Sequence, residues 1–205
     1  MPAPTLHRNL EPLMKIFSIA TLAISSAAAL AFSAPAWAQA TAKLNPAQSE
    51  IGFTAKQMGV PVEGKFKRFD AQILLDPKKP EAANVAFTVD LASVSMGAEA
   101  DAELVKPEWF DVKKAAQATF QSTSVKAAGP GKFDVAGKLT IKGNARDVLV
   151  PVTIAQAGPT TTASGAFAIK RLAFKIGEGE WSDTSMVADD VQIKFKLSMS
   201  GVPPM

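Results

Sequence analysis

The sequence predicts an all-β domain built from antiparallel strands. Three observations carry that expectation. Apolar and polar residues alternate at period two in segment after segment, short turn sequences rich in Gly, Pro, Asn and Asp separate the segments, and one stretch alone has helical spacing. Strands that alternate in this way are buried on one face, as in antiparallel sheets.

In chain order, residues 1–38 come first and are read as an address. Lys15 follows Met14, the apolar run "IFSIATLAISSAAALAF" is broken by Pro35, and "AWA" at 36–38 is a small-residue cleavage signal. Met14-Lys15 is the usual opening of such a leader, which leaves residues 1–13 as a segment upstream of the start. The competing reading is an uncleaved anchor, but the run is short for a span and ends in a cleavage-type motif. Cleavage leaves residues 39–205 as a single exported domain. A domain of that length buries about 70% of its unfolded surface, so it needs no disulfide.

The strands follow. "SEIGFTAKQ" (49–57) presents Ile51 and Phe53, and "VEGKFKRFDAQILLD" (62–76) changes phase between Phe66 and Phe69, predicting a bulge or bend near Arg68. In "NVAFTVDL", Val85, Phe87, Val89 and Leu91 share one face. The helical stretch is "GAEADAELVKPEWFDVKKA" (97–115), where Ala100, Leu104 and Val105 recur at helical spacing and Pro107 ends the turn. "ATFQSTSVKAA" (118–128), "KFDVAGKLTIKG" (132–143), "RDVLVPVTIAQ" (146–156), "TASGAFAIKRL" (162–172) and "DVQIKFKLSMS" (190–200) complete the series. The intervening turns "DPKKPEAAN", "GPGK", "KGNARD" and "AGPTTT" are short and favour pairing of sequence neighbours. Eight or nine such strands hide their apolar faces either as two packed sheets or as a closed barrel, and closure has the advantage of removing exposed edges.

Composition removes several kinds of chemistry. The sole histidine, His7, precedes the cleavage signal, and the chain has no Cys and no Tyr. Histidine- or cysteine-based nucleophile systems and His-ligated zinc are thereby excluded from the mature domain. The formal charge is +3; Arg8, Lys15 and Glu11 of the leader account for one unit of it, and the remaining +2 is interspersed along the chain, unlike a nucleic-acid footprint. Carboxylates stay available. Glu178, Glu180 and Asp183 surround Trp181 in "KIGEGEWSDTSMV", and Glu99, Asp101 and Glu103 sit on the predicted helix. A buried pair would serve acid/base chemistry, but alternate positions in a Gly-rich loop point into water, and the helix cluster suits the N-terminal dipole. Glu178, Glu180 and Asp183, or Asp189 with Asp190, offer oxygen ligands for calcium without any calcium-loop spacing, so no metal and no cofactor is assigned.

The aromatics are more telling. Phenylalanines occur on nearly every strand, with Gly52, Ala55, Gly64, Ala86, Gly137, Ala166 and Ala168 between them, and Trp109, Phe110 and Trp181 lie in connections. Ordinary core packing explains most such residues, and a barrel that keeps a cavity would use the small ones to leave room along its axis.

The order of "NPAQSEIGFTAKQMGVPVEGKFKRFDAQILLDP", "SVSMGAEADAELVKPEWFDVKKAAQATFQSTSV", "GKFDVAGKLTIKG" and "FKIGEGEWSDTSMVADDVQIKFKL" resembles the YceI-like family of periplasmic proteins over roughly residues 42–199. The resemblance implies an eight-stranded antiparallel barrel of lipocalin-like shape, with a short helix in one connection, that holds a long apolar ligand: a polyisoprenoid, an isoprenoid quinone or a related lipid. Where many relatives carry a histidine late in the second strand, this chain has Lys56 and Gln57. The "IGEGEW" loop looks like that of the subgroup found with membrane cytochromes of the b561 type. The expected function is a lipid carrier, not an enzyme, with Phe53, Phe66, Phe87, Trp109, Phe110, Phe120, Phe133 and Trp181 lining the lumen. The alternatives are a ligand-free interaction module docking to such a cytochrome and a carboxylate-based enzyme. The oligomeric state stays open, a homodimer included.

Overall fold

A computed structural model describes residues 41–205, so the predicted leader lies outside the described residues. The strands are β1 (Thr41–Leu44), β2 (Glu50–Gln57), β3 (Val60–Phe66), β4 (Phe69–Leu74), β5 (Asn84–Asp90), β6 (Val94–Ser95), β7 (Gln117–Gly129), β8 (Lys132–Ile141), β9 (Asn144–Ala157), β10 (Thr160–Lys170) and β11 (Asp190–Ser200). One helix, α1 (Ala98–Leu104), stands between β6 and β7. It ends before Pro107, as the sequence predicts.

The strands form one antiparallel sheet in the order β1-β4-β5-β7-β8-β9-β10-β11-β2-β3-β6, and an additional β1–β11 pairing closes it. Eight strands make the wall once three interrupted ones are counted whole: β1 with β2, β3 with β4, and β5 with β6. Closure leaves the long strands without an unpaired edge.

Each interruption has a local cause. Between β1 and β2 the chain makes a short 3-10 turn (Pro46–Gln48). The ladder to β11 is carried across it by Asn45, whose N–H donates to Ser198 O at 2.8 Å, and by the Ser49 hydroxyl, which accepts from Ser198 N at 2.9 Å. The phase change predicted near Arg68 is the bend and not the bulge: the chain bends at Lys67, which separates two strands. Lys67 N donates to Ser93 O and Arg68 N to the Ser93 hydroxyl, both at 3.0 Å, while the Arg68 side chain pairs with Asp90 at 2.8 Å. A bulge does occur elsewhere: the β7–β8 register shifts between Ser122 and Ser124, placing Ala118 and Phe120 in phase with the lumen and restoring Val125 to the core beyond.

The hairpins are tight. Lys142-Gly143 joins β8 to β9 with both φ positive, at 51° and 74°, the twist-matching geometry of two-residue hairpin turns. Along β8 the interior changes character. Phe133 and Val135 belong to one buried cluster with Val150, Ile154, Leu197 and Met199. Leu139 and Ile141 belong to another with Trp109, Phe110, Phe174 and Ile176. The first cluster fills one end of the barrel, and the second lines the other.

Candidate functional site: an apolar lumen under an arginine-pinned loop

Inward residues of successive strands enclose a cavity of about 830 Å³, within the usual range for small-molecule sites. Ile51, Phe53 and Ala55 of β2, Val89 of β5, Leu139 and Ile141 of β8, Phe167 and Ile169 of β10 and Val191 and Ile193 of β11 form its wall. Gln57, Gly97, Ala98 and Glu99 are its solvent-exposed lining residues and mark a mouth between the β2–β3 hairpin and α1. A second space of about 150 Å³ lies deeper, bounded by Phe87, Phe120, Val135, Val150, Phe195 and Leu197. The two share Ile51, Val89, Ala118, Leu139, Phe167 and Ile193, so they adjoin along the barrel axis.

Three glycines make room for the rings. A Cβ on Gly64 would lie 2.4 Å from the Phe53 ring, one on Gly137 2.4 Å from Phe120, and one on Gly165 2.6 Å from Phe195. Each ring therefore lies against the neighbouring strand at a position without a side chain. Gly64 and Gly137, read from sequence as free space along the axis, are instead covered by phenylalanines.

Of the residues expected to line the lumen, Phe53, Phe66, Trp109, Phe110 and Trp181 border the larger cavity and Phe87 and Phe120 the smaller. Phe53 and Phe66 lie 5.6 Å apart by ring centroid, Phe66 and Phe110 6.0 Å, and Trp109 and Trp181 5.5 Å. Phe133 borders neither space. It faces inward at the start of β8, where the barrel is filled, and packs into the first cluster. Alternation gives the inward face but not the height at which packing gives way to void.

Sequence reading missed the residue that organises this end. Arg171, only 1% exposed, spends all five N–H donors on backbone carbonyls. Nε donates to Ala188 O at 3.1 Å, Nη1 to Ile176 O and Gly177 O at 2.8 and 2.9 Å, and Nη2 to Trp181 O and Val187 O at 2.6 and 2.7 Å. Burial pushes the guanidinium below its ordinary pKa, and nearby Asp189 pulls the other way; arginine stays protonated regardless. Gly177, at φ +74°, is required where it stands, because a Cβ there would meet Arg171 Nη1 at 2.3 Å. Gly177 N and Glu178 N both donate to Glu108 O, at 2.8 and 3.0 Å, tying this loop to the segment bearing Trp109. A signal was present in the sequence: Arg171 continues the phase of Ala163, Phe167 and Ile169, the inward face of β10.

The acidic residues around Trp181 are exposed. Glu178 accepts from Lys142 Nζ at 2.9 Å, and that donation, with the charge behind it, holds its pKa below the usual value. Asp183 is lowered by hydrogen bonds from the Ser185 hydroxyl and backbone N–H. A general acid needs the opposite shift. Among the described residues no group of three or more His, Cys, Asp or Glu is placed to hold a metal ion.

The family model described as YceI-like domain matches residues 43–199. The chain belongs to the YceI-like family. Among solved structures, BcnA of Burkholderia cenocepacia superposes with a TM-score of 0.74 at 48% identity, over 76% of this chain and 99% of that one. A Campylobacter jejuni YceI protein does so with a TM-score of 0.62 at 26% identity, over 67% of this chain and 83% of that one. A polyisoprenoid binding domain from Saccharophagus degradans, at 14% identity and a TM-score of 0.64 over 79% of this chain and 99% of that one, shares the fold. A UPF0312 protein of Ectopseudomonas mendocina is 40% identical over 88 residues, 42% of this chain and 46% of its own length. One from Vibrio cholerae is 32% identical over 114 residues, 55% of this chain and 60% of its own. The chain thus spans about half the length of the curated relatives it matches.

Proposed function

We propose that this YceI-like protein is a periplasmic carrier that holds one long apolar lipid, a polyisoprenoid, an isoprenoid quinone or a related molecule, in its barrel lumen. The observation that carries the reading is the pair of adjoining apolar spaces running from a mouth at α1 into the barrel. Each methylene buried there gains about 0.8 kcal/mol, so a tail several isoprene units long is held without any polar contact. A protein of the same fold is described as a polyisoprenoid binding domain, and the leader-like residues 1–38 support export.

A ligand-free docking module requires a lumen filled by side chains, and the cavity counts against it. Its other requirement, an apolar patch at the rim, has some support. Met58 and Met186 are both exposed and are joined by a backbone hydrogen bond of 2.8 Å; Val60, also exposed, follows in the same hairpin; and their neighbours Gln57 and Val187 line the cavity. Docking to a membrane or a membrane cytochrome fits as a step in the carrier's cycle.

The test is native mass spectrometry of the protein isolated from its own periplasm, followed by organic extraction. A co-purifying lipid of defined mass is expected, along with a shift in tryptophan emission on reloading, since Trp109 and Trp181 border the cavity. Apo protein that also takes up neither polyprenyl phosphates nor quinones would end the proposal.

A further inference from the structure

Deepening the carrier reading, on which its role in transfer rests, we infer that the tip of the β2–β3 hairpin is a membrane-docking element. It seats the mouth of the barrel on a bilayer surface that carries anionic headgroups, and its apolar side chains continue the lumen wall down to the lipid.

The apolar exposure is gathered at one place. Among the described residues five large hydrophobic side chains are exposed, and three of them meet at this rim: Met58 at 68%, Val60 at 62% and Met186 at 41%. Met58 N donates to Met186 O at 2.8 Å. Along β3, Val60 is in phase with Val62 and Phe66, which line the cavity, and Met186 is followed by cavity-lining Val187. An apolar track therefore leaves the lumen along β3 and ends in water.

The turn adds a second cost at the same residue. Met58 and Gly59 have φ of 49° and 81°, the two-residue hairpin turn whose first position favours Asn, Asp or Gly. A methionine there carries backbone strain as well as exposure. One polar replacement would relieve both, whereas an apolar medium around the tip turns the exposure into a gain.

The tip also projects. The β2–β3 ladder runs on to Gln57 and Val60, past the β11–β2 ladder, which stops at Gln192 and Thr54, and the β3–β6 ladder, which stops at Lys65 and Ser95. Farther out its ties are to residues 186–188, through the Gln57–Val187 bridge and the Met58 and Lys56 backbone hydrogen bonds. Three apolar side chains on such a tip fall far short of the roughly 20–30 residues a side of a stable protein interface. They suit shallow entry into the boundary of a bilayer.

Charge completes the fit. Within residues 55–62 the only ionisable residue is Lys56, which is exposed and in no ion pair among the described residues. On the same outward face, exposed Lys65 and Lys194 flank Gly52 in cross-strand register. Ammonium groups beside an apolar tip sit at headgroup level and favour an anionic leaflet. Glu63 of the hairpin lies farther from the turn and accepts from the Thr54 hydroxyl at 3.5 Å. The exposed carboxylates Glu99, Glu180 and Asp183 belong to α1 and the loop after β10, so an anionic surface favours the hairpin side.

The experiment measures co-sedimentation of the full mature protein with vesicles of phosphatidylcholine alone and of phosphatidylcholine mixed equally with phosphatidylglycerol. The natural protein should bind the mixed vesicles more tightly, and Met58→Asn combined with Val60→Thr should weaken that binding about tenfold. The double variant should keep or raise its midpoint in chemical denaturation, since Asn suits the turn, and should take up a detergent-dispersed polyprenyl quinone as the natural protein does. Lys56→Glu should lose about fivefold on the mixed vesicles and little on phosphatidylcholine. With a nitroxide-labelled lipid in the vesicles, the Met58 and Met186 methyl signals should be quenched well before that of Met199, which is buried in the first cluster. Equal vesicle binding by the natural protein and the double variant, or no binding by either, would overturn the inference while leaving the carrier reading standing. So would a concentration-dependent dimer that the double variant loses, which would assign the tip to a second copy of the chain. A natural protein that docks on vesicles but takes up no dispersed quinone would overturn the carrier reading and leave the docking surface in place.

Discussion

The two ends of the barrel are built from the same strands and do opposite things with them. At the end where β7 turns into β8, Phe133, Ile154 and Met199 pack the interior beyond the smaller space that Val135, Val150 and Leu197 border, and the polar contacts are few, with Gln156 Nε2 donating to Thr161 Oγ1 and to the carbonyls of Val202 and Pro203. At the end capped by α1 and the loop after β10, the same inward phase of those strands borders a void, the residues become aromatic, and a buried arginine holds the backbone in place. An end that is full is held by its own packing. A hollow end loses that cohesion and must be stiffened by hydrogen bonds around the space.

Removing the stiffener tests the contrast most severely. Arg171→Met keeps the bulk but strands five carbonyls, all on the loop between β10 and β11, whose Gly177 is fitted against the guanidinium. A loss of about 3–5 kcal/mol in chemical denaturation is expected, with lipid uptake abolished. Arg171→Lys should rescue little, because an ammonium offers three donors and no planar fork.

A paired truncation sharpens the same division. Phe133→Ala at the filled end should cost about 3–5 kcal/mol and leave the tail length accepted by the lumen unchanged. Phe110→Ala, whose ring already borders a void, should cost less, about 1–2 kcal/mol, and should change lipid affinity instead. Equal stability losses with equal binding effects would mean that the ends do not differ as described.

The boundary itself is open to probing at Ala118, which borders both spaces. Ala118→Leu should plug the passage, lowering affinity for long-tailed lipids at least tenfold relative to short-tailed ones, for about 1–3 kcal/mol of overpacking. A series of tail lengths measured by competition reads this directly.

The smallest effect concerns pH. The Glu178 carboxyl titrates lower in the folded protein than unfolded, because Lys142 donates to it. Its contribution is therefore complete above the ordinary carboxylate value and is lost as pH falls through the folded one. The pair is solvent-exposed on the Glu178 side and therefore screened, so melting curves between pH 6 and pH 3 should separate the natural protein from Glu178→Gln by less than about 1 kcal/mol, with the gap closing in acid.

Most of the wall was legible in the sequence because alternation is a local property. The shared face of β5 was assigned residue by residue, the segments of β8 and β11 were placed, and α1 was followed up to its stop before Pro107. What escaped was set by contacts distant in sequence. The bend near Arg68 was visible as a phase change, but the Ser93 and Asp90 contacts that fix it were not, and the interruption after β1 depends on Ser198. That Phe133 packs instead of facing a void depends on residues of other strands, among them Val150, Ile154, Leu197 and Met199. Trp109 and Trp181 looked like loop aromatics of separate connections until the Glu108 carbonyl and the Arg171 guanidinium brought them together. Of the eight expected lining residues, the five on strands face inward at several heights and Trp109, Phe110 and Trp181 reach the hollow end from connections, with the role of all eight in binding part of the proposal.

Arg171 also bears on rates. Because one guanidinium holds carbonyls at 176, 177, 181, 187 and 188, the loop cannot peel away a residue at a time; loosening any part exposes a charge that the remaining part must hold. That end of the barrel will behave as a single cooperative unit, with amide protons that exchange together and slowly. Passage of cargo is left to the other margin of the cavity, where Gly97 and Ala98 begin a helix of seven residues with no side-chain cap. On the carrier proposal, the time a lipid spends inside the protein would be set by how often α1 moves aside, and loading and unloading would share one door.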